Sequence, residues 1–392
     1  MAGSVTQQFK VGFASGAPAQ IDATAQQREV SDEFDIIAPW DTPFLSLLGK
    51  SVGSPGMSMK HEWVEPDLWA KTLTISSTTS ATTAEVTLTL ASAVAYQVPL
   101  NSVWLNRTSG ELVYATARAS TTTLTVVRDY AGSTGATSAT GATYDYAGVA
   151  HKEGADTVFA GHPVKSFPFN YYQLFEQGLE ITKPSKTLDE YGMDRYEYER
   201  ETYMRTLKYG LEASIIHGLA FYGDGDEAAM LGGIYNFATA ANGAYVAALA
   251  SAALAESHLN TALRDRLDTV GLGEIARDVF INSFLKQKLD SIYENRIRTT
   301  AGERTGGSVI DRIQGSIVDL SLHLSPNMKR DELIVLNLGK LKVVNWPGMN
   351  WFEGQLPSNA LTSTKEGIAG MFTLEDRAVQ TNIKLTGIST SS

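Results

Sequence analysis

One stretch of eighty residues limits what this chain can fold into. Within residues 71–150, 27 residues are Ser or Thr and only eight are charged, four of each sign. Runs of alternating polar and apolar residues, such as 85–90 and 121–127, are separated by turn sequences rich in Gly, Asn and Ser. This pattern predicts short β-strands that form a small sandwich or barrel inserted into a larger fold. A flexible stalk is the alternative, but Trp104 and Leu124 supply core residues that a stalk lacks.

The composition of the whole chain excludes several classes of protein. The 392 residues suggest two to three folding units, and 43% hydrophobic residues with 36 aromatic side chains are enough for packed cores. The absence of cysteine excludes disulfide frameworks, thiolate zinc sites, iron–sulfur clusters and cysteine nucleophiles. The net charge of −11 predicts that the chain as a whole repels nucleic acid, although a local basic face remains open.

Outside the insert the sequence alternates between helical and strand patterns. Residues 187–190 fit a helix capping box, and apolar residues at helical spacing then predict one long helix of about 32 residues that ends around Gly223. A helix over 256–270, a buried strand over 278–282 and a helix over 283–294 follow. The strand candidates beyond them are 309–322, 333–338, 342–346, 370–375 and 378–387. Helices and strands without repeated βαβ units predict an α+β fold.

The N-terminal region combines a polar segment with a concentrated apolar one. Residues 1–30 have no sustained period, which predicts an arm that becomes ordered against a partner. In the segment that follows, Pro43 suits the first turn of a short helix with Asp41 or Thr42 as its cap. Its apolar residues, such as Phe44, dock either on the chain's own core or on a neighbouring subunit.

Motifs for catalysis or for bound cofactors are incomplete throughout the chain. Residues 49–51 end like a phosphate-binding loop, but Phe44 stands where the first glycine is needed. Residues 271–276 match a dinucleotide fingerprint, yet they follow a predicted helix and precede a strand, which is the reverse of the required order. Residues 61–65 lack the second histidine of a zinc protease, and 223–227 lack most ligands of a calcium loop. We therefore expect no enzyme, no cofactor and no metal, and we interpret His217 as a packed or interface histidine.

The sequence contains neither the apolar run of a signal peptide nor a stretch that approaches about 18 apolar residues. We therefore expect a soluble protein that is made and kept in the cytoplasm, with no membrane partner.

Four ordered segments carry a resemblance to a known family. They are residues 42–50 (TPFLSLLGK), 170–175 (NYYQLF), 279–282 (VFIN) and 371–375 (MFTLE). In order and spacing the chain resembles the major capsid proteins of tailed double-stranded DNA bacteriophages, which have the Hong Kong 97-like fold. Within that group it is similar to the SU-ten-like major head proteins. The resemblance covers most of the chain.

The resemblance implies a division of the chain into five parts. These are an N-terminal arm (1–50), an extended loop with the β-rich insert (51–180, insert about 71–150), a peripheral domain with a spine helix (181–235), an axial domain (236–335) and return strands of the peripheral domain (336–392). It also implies where subunits touch. The expected interface residues are Trp40, Pro43, Phe44, Leu45, Tyr171, Gln173, Phe175, Arg195, Arg200 and Arg304.

The function implied by the resemblance is structural. Many copies would assemble into hexamers and pentamers of an icosahedral or prolate phage head in the host cytoplasm and remain part of the virion. The implied partners are further copies, a portal protein, a scaffold or decoration protein, and packaged double-stranded DNA through weak, non-specific contact. Two alternatives are an encapsulin-like compartment shell, whose family usually lacks such an insert, and a β-rich adhesion or tail protein, which would not need the long helix.

Overall fold

The computed structural model describes most of the chain from residue 42 onward. The described residues are 42–52, 58–66, 69–81, 86–154, 165–187, 195–224, 226–271, 273–293, 311–315, 317–357 and 361–390. Trp40, Arg304 and the predicted N-terminal arm lie outside them, as does the side chain of Arg195.

Six α-helices occur among the described residues. They are α1 (Pro43–Leu47), α2 (Lys183–Thr187), α3 (Arg195–His217), α4 (Ile234–Phe237), α5 (Glu256–Val270) and α6 (Ser283–Tyr293).

The strands of the described residues alternate with these helices. They are β1 (Gly49–Val52), β2 (Lys60–Glu62), β3 (Glu65–Pro66), β4 (Thr72–Thr74), β5 (Thr87–Thr89), β6 (Ser102–Asn106), β7 (Leu112–Arg118), β8 (Thr123–Val127), β9 (Thr143–Val149), β10 (Lys165–Ser166), β11 (Phe169–Tyr171), β12 (Gln173–Thr182), β13 (Tyr245–Ala248), β14 (Asp278–Ile281), β15 (Arg312–Gln314), β16 (Asp319–Leu324), β17 (Leu333–Leu336), β18 (Leu341–Asn345), β19 (Phe352–Leu356), β20 (Ser363–Asp376) and β21 (Ile383–Thr386). Mixed helix and sheet confirm the predicted α+β class.

The chain divides into two units. Unit one comprises Met1–Asp41, Gln177–Thr206 and Glu353–Ile368, and unit two comprises Thr42–Glu176, Leu207–Phe352 and Ala369–Ser392.

The described part of unit one depends on polar contacts between chain segments. Lys365 pairs with Glu180 at 3.3 Å, and Arg200 pairs with Glu353 at 2.7 Å. The Tyr196 hydroxyl donates to Glu366, and this hydrogen bond, together with burial, raises the tyrosine pKa to about 12. Because the Arg200 pair is exposed, it contributes little to stability.

The largest sheet of unit two has the strand order β13-β21-β17-β14-β16-β15. Leu259, Ala262 and Leu263 recur at helical spacing on α5 and pack with Leu285 and Leu289 of α6 against one face of this sheet. All four residues of β17 are buried, as expected for a central strand covered on both faces.

The last strand corrects one expected domain boundary. Residues 336–392 were expected to return to the peripheral domain, but β21 pairs in parallel with β13 and antiparallel with β17. The physical reason is burial: Ile383 and Leu385 are wholly buried in the core that α5 and α6 cover.

The insert of unit two is a closed barrel. Its strand order is β4-β9-β6-β7-β8-β5, all antiparallel, and an Ile75–Leu90 bridge joins the first strand to the last. Trp104, Leu124 and Tyr144 fill its interior with exposures of 1% or less. The prediction of a sandwich or barrel is therefore confirmed as a barrel, and closure removes the exposed sheet edges of an open sheet.

A buried ion pair lies in the same barrel. The Arg128 guanidinium contacts both carboxylate oxygens of Glu111 at 2.6 Å, and both side chains are fully buried. Its remaining donors bond the backbone carbonyls of Ser80 and Ala136 at 2.6 Å. The charge pair is thus satisfied on all sides, as a buried pair must be to avoid a large desolvation cost.

Helix α3 is shorter than the pattern predicted. Its 23 residues correspond to about 35 Å at 1.5 Å per residue, and it ends at His217 rather than near Gly223. The predicted capping box falls partly in α2 and partly on residues outside the described ones. The end has a steric cause: a β-carbon on Gly218 would lie 2.2 Å from the carbonyl oxygen of Leu231, so only glycine permits this approach.

Candidate subunit interface

A pair of short strands in unit two carries exposed aromatic rings. Strands β2 and β11 are antiparallel, with Asn170 opposite His61 and Tyr171 opposite Lys60. Because side chains alternate along a strand, Asn170 is buried while Phe169 and Tyr171 lie on the other face. The ammonium of Lys60 lies 4.0 Å from the centre of the Phe169 ring, and the Phe169 and Tyr171 rings meet edge to face at 5.5 Å.

A third ring joins this pair from a distant part of the sequence. Tyr222 contacts Tyr171 edge to face at 5.5 Å, and the neighbouring Phe221 is fixed by an antiparallel bridge to Met230. Phe169 is 40% exposed and Tyr222 is 58% exposed. We call Phe169, Tyr171 and Tyr222 the aromatic surface. Exposed apolar side chains flank it in sequence, namely Phe167, Leu219 and Phe221.

Asn170 holds the aromatic surface in place from below. Its side-chain amide donates to the carbonyl oxygens of Gly232 and Leu374 at 2.9 and 2.8 Å. Its side-chain oxygen accepts from the backbone N–H groups of Gly232 and Tyr171 at 2.7 and 2.8 Å. All the polar capacity of this buried residue is used, so the backbone beside Phe169 and Tyr171 is rigidly positioned.

Two residues expected at the interface are buried inside the chain. Phe44 is 0% exposed and meets Phe280 edge to face at 4.6 Å, so of the two docking alternatives for α1 this side chain uses the chain's own core. Phe175 is buried against Trp351 and Phe372. A charge at Phe44 would therefore disturb folding of the chain itself, which corrects its expected place as a surface anchor.

Gln173 also has an internal role. Its side-chain oxygen accepts from the Leu231 N–H at 3.2 Å, and its amide contacts the Ser214 hydroxyl at 3.3 Å. It ties β12 to α3 and to the segment before α4.

The remaining expected residues that the structure describes are accessible. Pro43 and Leu45 are partly exposed on α1, Tyr171 belongs to the aromatic surface, and Arg200 is engaged with Glu353. The structure therefore brings Tyr171, but not Pro43, Leu45 or Arg200, into the aromatic surface.

Beneath the β2–β11 pair lies a buried network of titratable groups. His61 contacts the Glu375 carboxylate at 3.0 Å, and Arg377 donates to the same carboxylate. Burial opposes the charge on Glu375, but these hydrogen bonds outweigh it together and lower the pKa of Glu375. Burial, followed by the nearby Glu375 charge, raises the pKa of Tyr172 to about 12. The network fixes protonation states in the core.

Neither a metal site nor a membrane span emerges from the described parts of the chain. Among those residues, no group of three or more His, Cys, Asp or Glu side chains could hold a metal ion. No helix within them is both long and apolar enough to cross a bilayer.

The sequence as a whole identifies the family. Residues 15–389 match the family SU10 major capsid protein. The chain belongs to this family. Its role is that of a structural capsid protein, and no curated protein matches it.

Solved structures agree on the fold. A chain of the cyanophage A-1(L) capsid is similar with a TM-score of 0.56 at 10% identity, over 94% of this chain and 98% of that one. A capsid chain of a native GTA particle is similar with a TM-score of 0.53 at 10% identity, over 93% and 96% of the two chains. The encapsulin of Synechococcus elongatus PCC 7942 reaches only 0.42, at 10% identity over 59% and 78%, and supports no argument. The Hong Kong 97-like fold is therefore confirmed.

Sequence reasoning found one member of the aromatic surface and missed two. Tyr171 stood out because it lies in a segment that carries the family resemblance. Phe169 and Tyr222 have no motif, and the 51 residues between Tyr171 and Tyr222 hide their contact from a local pattern.

Proposed function

We propose that this capsid protein self-assembles into hexamers and pentamers that form the head of a tailed phage around double-stranded DNA. The aromatic surface carries this proposal, together with the family membership. Large exposed aromatic clusters are uncommon on monomeric proteins and are typical of protein–protein contacts.

The aromatic surface has the physical properties of an interface anchor. Its rings already contact one another, so little side-chain entropy is lost when a second copy covers them. The Lys60 ammonium beside Phe169 adds a charge at the rim of the apolar area. A neighbouring copy would bury Phe169 and Tyr222 further, and burial of apolar area is the main favourable term in association.

The same proposal covers domain roles, partners and location. The sheet that α5 and α6 cover would be the axial domain, extended to include β21. A portal protein, a scaffold or decoration protein, and packaged DNA would be partners, and assembly would occur in the host cytoplasm. The net charge of −11 fits weak rather than tight DNA contact.

We also propose that the protein has no catalytic activity. The described histidine–carboxylate pairs, His61 with Glu375 and His323 with Asp278, are each packed against aromatic rings rather than beside a nucleophilic hydroxyl or thiol. Such pairs are typical of structural ion pairs.

The test is assembly of the purified chain. We expect the wild type to form closed particles or capsomer rings, visible by negative-stain microscopy and sedimentation velocity. Phe169→Ser combined with Tyr222→Ser should fold, as judged by circular dichroism, but assemble at least about tenfold less, because interface aromatics are often worth 2 kcal/mol or more each.

The matched control changes two exposed side chains of the barrel. Val86 and Val127 are 54% and 48% exposed, so Val86→Ser with Val127→Ser removes similarly exposed apolar groups away from the aromatic surface. Normal assembly of the aromatic variant would remove the aromatic surface from the interface. Monomers only from the wild type, even under crowding, would contradict the assembly proposal itself.

A further inference from the structure

A pocket of about 390 Å³ opens within unit two. Helix α1, edge strand β1, the α3 residues Lys208 and Leu211, strand β18 and the Asn350–Trp351 turn line it. This volume is near the lower end of the roughly 300–1,000 Å³ of ligand pockets, so it is large enough for one or two side chains and too small for a folded element.

The polar side chains of the pocket are dominated by donors. Lys50 and Lys208 contribute two ammonium groups, and the lining contains no carboxylate. Within the described residues, neither ammonium has an ion-pair partner, whereas Lys329 and Lys340 pair with carboxylates at 3.2 and 2.9 Å. An ammonium has three donors and no acceptor, so two of them at one pocket favour an anion.

The floor of the pocket is apolar and rigid. Trp351 packs on Phe372 with ring centres 4.7 Å apart, and its backbone φ of +38° is unusual for a residue with a side chain. A β-carbon on Gly370 would lie 2.6 Å from the Phe372 ring and 2.8 Å from the Trp351 ring, so glycine is required for this packing. Backbone strain held in place by packing is typical of functional positions.

We propose that this pocket binds the carboxylate side chain of an Asp or Glu from a second copy of the chain. The inference rests on the proposed assembly and names one of its contacts. The methylene groups of the incoming side chain would lie on Trp351 and Phe372, while its carboxylate would accept from Lys50 and Lys208. The contact thus combines an apolar stem site with a charged end.

The charge of the chain supports this occupant. With 43 acidic and 32 basic residues, neighbouring copies repel one another on average. A pocket with two unpaired lysines therefore meets acidic side chains on a neighbour and offsets part of that repulsion. DNA fits less well, because a duplex presents its phosphates on a broad convex surface and a small pocket with an aromatic floor cannot follow it.

Carbodiimide crosslinking tests the contact, since it joins a lysine to a carboxylate only when the two touch. Particles are assembled from mixed isotope-labelled and unlabelled subunits, and mass spectrometry then distinguishes bonds between copies from bonds within one. We expect mixed-label crosslinks from Lys50 or Lys208 in empty particles and none in free subunits.

Charge-neutral variants give a second readout. Lys50→Gln with Lys208→Gln should lower particle yield at least about tenfold and make assembly less sensitive to salt, because an ion pair is lost. Lys71 and Lys152 are exposed and have no ion-pair partner among the described residues, so Lys71→Gln with Lys152→Gln is the control and should assemble normally.

Three outcomes would overturn the inference while the proposed function stands. Wild-type particles in which Lys50 and Lys208 remain as reactive to an amine reagent as in free subunits would show that the pocket is empty. Protection only in DNA-filled particles would assign the pocket to phosphate. Normal assembly of the Lys50/Lys208 variant with no mixed-label crosslink would exclude the contact. Failure of the wild type to assemble would instead contradict the proposed function.

Discussion

At the residue scale, Asp376 places a carboxyl group in the interior of unit two. It is 2% exposed, and it accepts from the Asn382 amide at 2.7 Å and the Ala378 N–H at 3.2 Å. Burial outweighs these hydrogen bonds and raises the pKa of Asp376 from 3.8 to about 6. The folded chain therefore binds a proton at pH values where the unfolded chain has lost it.

The sign of the pH dependence follows from this. The stability that Asp376 contributes is full below the unfolded pKa of 3.8 and is lost as the pH rises through about 6. Glu375, whose pKa is lowered, acts in the opposite sense, and its contribution is lost as the pH falls below its ordinary range.

We predict that Asp376→Asn removes the first of these dependences and keeps the second. The free energy of unfolding of the wild type relative to the variant should fall by about 2 kcal/mol between roughly pH 4.5 and 7. Urea denaturation at a series of pH values measures this difference. Parallel curves for the two proteins over that range would show that Asp376 does not hold a proton in the fold.

At the element scale, two glycines let the end of α3 approach the start of α4. A β-carbon on Gly233 would lie 2.6 Å from the carbonyl oxygen of Ile215 and 2.8 Å from the backbone nitrogen of Gly218. Both contacts are to backbone, which cannot move aside as a side chain can. The sequence pattern carried the predicted helix past this point because periodicity does not register such a contact.

We predict opposite effects for two glycine-to-alanine changes. Gly233→Ala should destabilise the chain by about 1–3 kcal/mol, the usual cost of overpacking. Gly210 lies inside α3 with nothing within 4 Å of its would-be β-carbon, so Gly210→Ala should stabilise the chain by about 0.5–1 kcal/mol. Urea midpoints of both variants measure this, and a neutral Gly233→Ala would contradict the close approach.

At the scale of the whole molecule, the barrel has the properties of an independent folding unit. It has its own core, and its two ends lie side by side, since the Tyr146 N–H donates to the Lys71 carbonyl at 2.9 Å. An insert whose ends meet can be added to a loop without stretching the surrounding fold.

We predict that residues 69–152 fold when expressed alone. The fragment should show a cooperative thermal transition by circular dichroism and dispersed amide signals by NMR. Leu124→Asp is the control, because a charge in this filled interior should abolish the transition. A fragment without a transition would mean that the barrel depends on the rest of the chain.

Local patterns were enough for several elements. Helix α5 has the predicted bounds, β14 and α6 agree to within one residue, and the barrel strands β5 to β8 lie where alternation predicted them. These elements are set by side-chain periodicity over a few residues, which is a property of the sequence alone. The family resemblance then gave the α+β capsid fold and the place of Tyr171 near a contact surface.

By itself, then, the sequence determined the elements, the inserted β unit and the family of this chain. Only the tertiary structure decided that Ile75 and Leu90 close the barrel, that β21 joins the sheet of β17, that Phe44 is internal, and that Lys50 and Lys208 share a pocket. The reason is physical: each of these depends on residues far apart in the chain, and burial and backbone pairing between distant segments leave no local period to read.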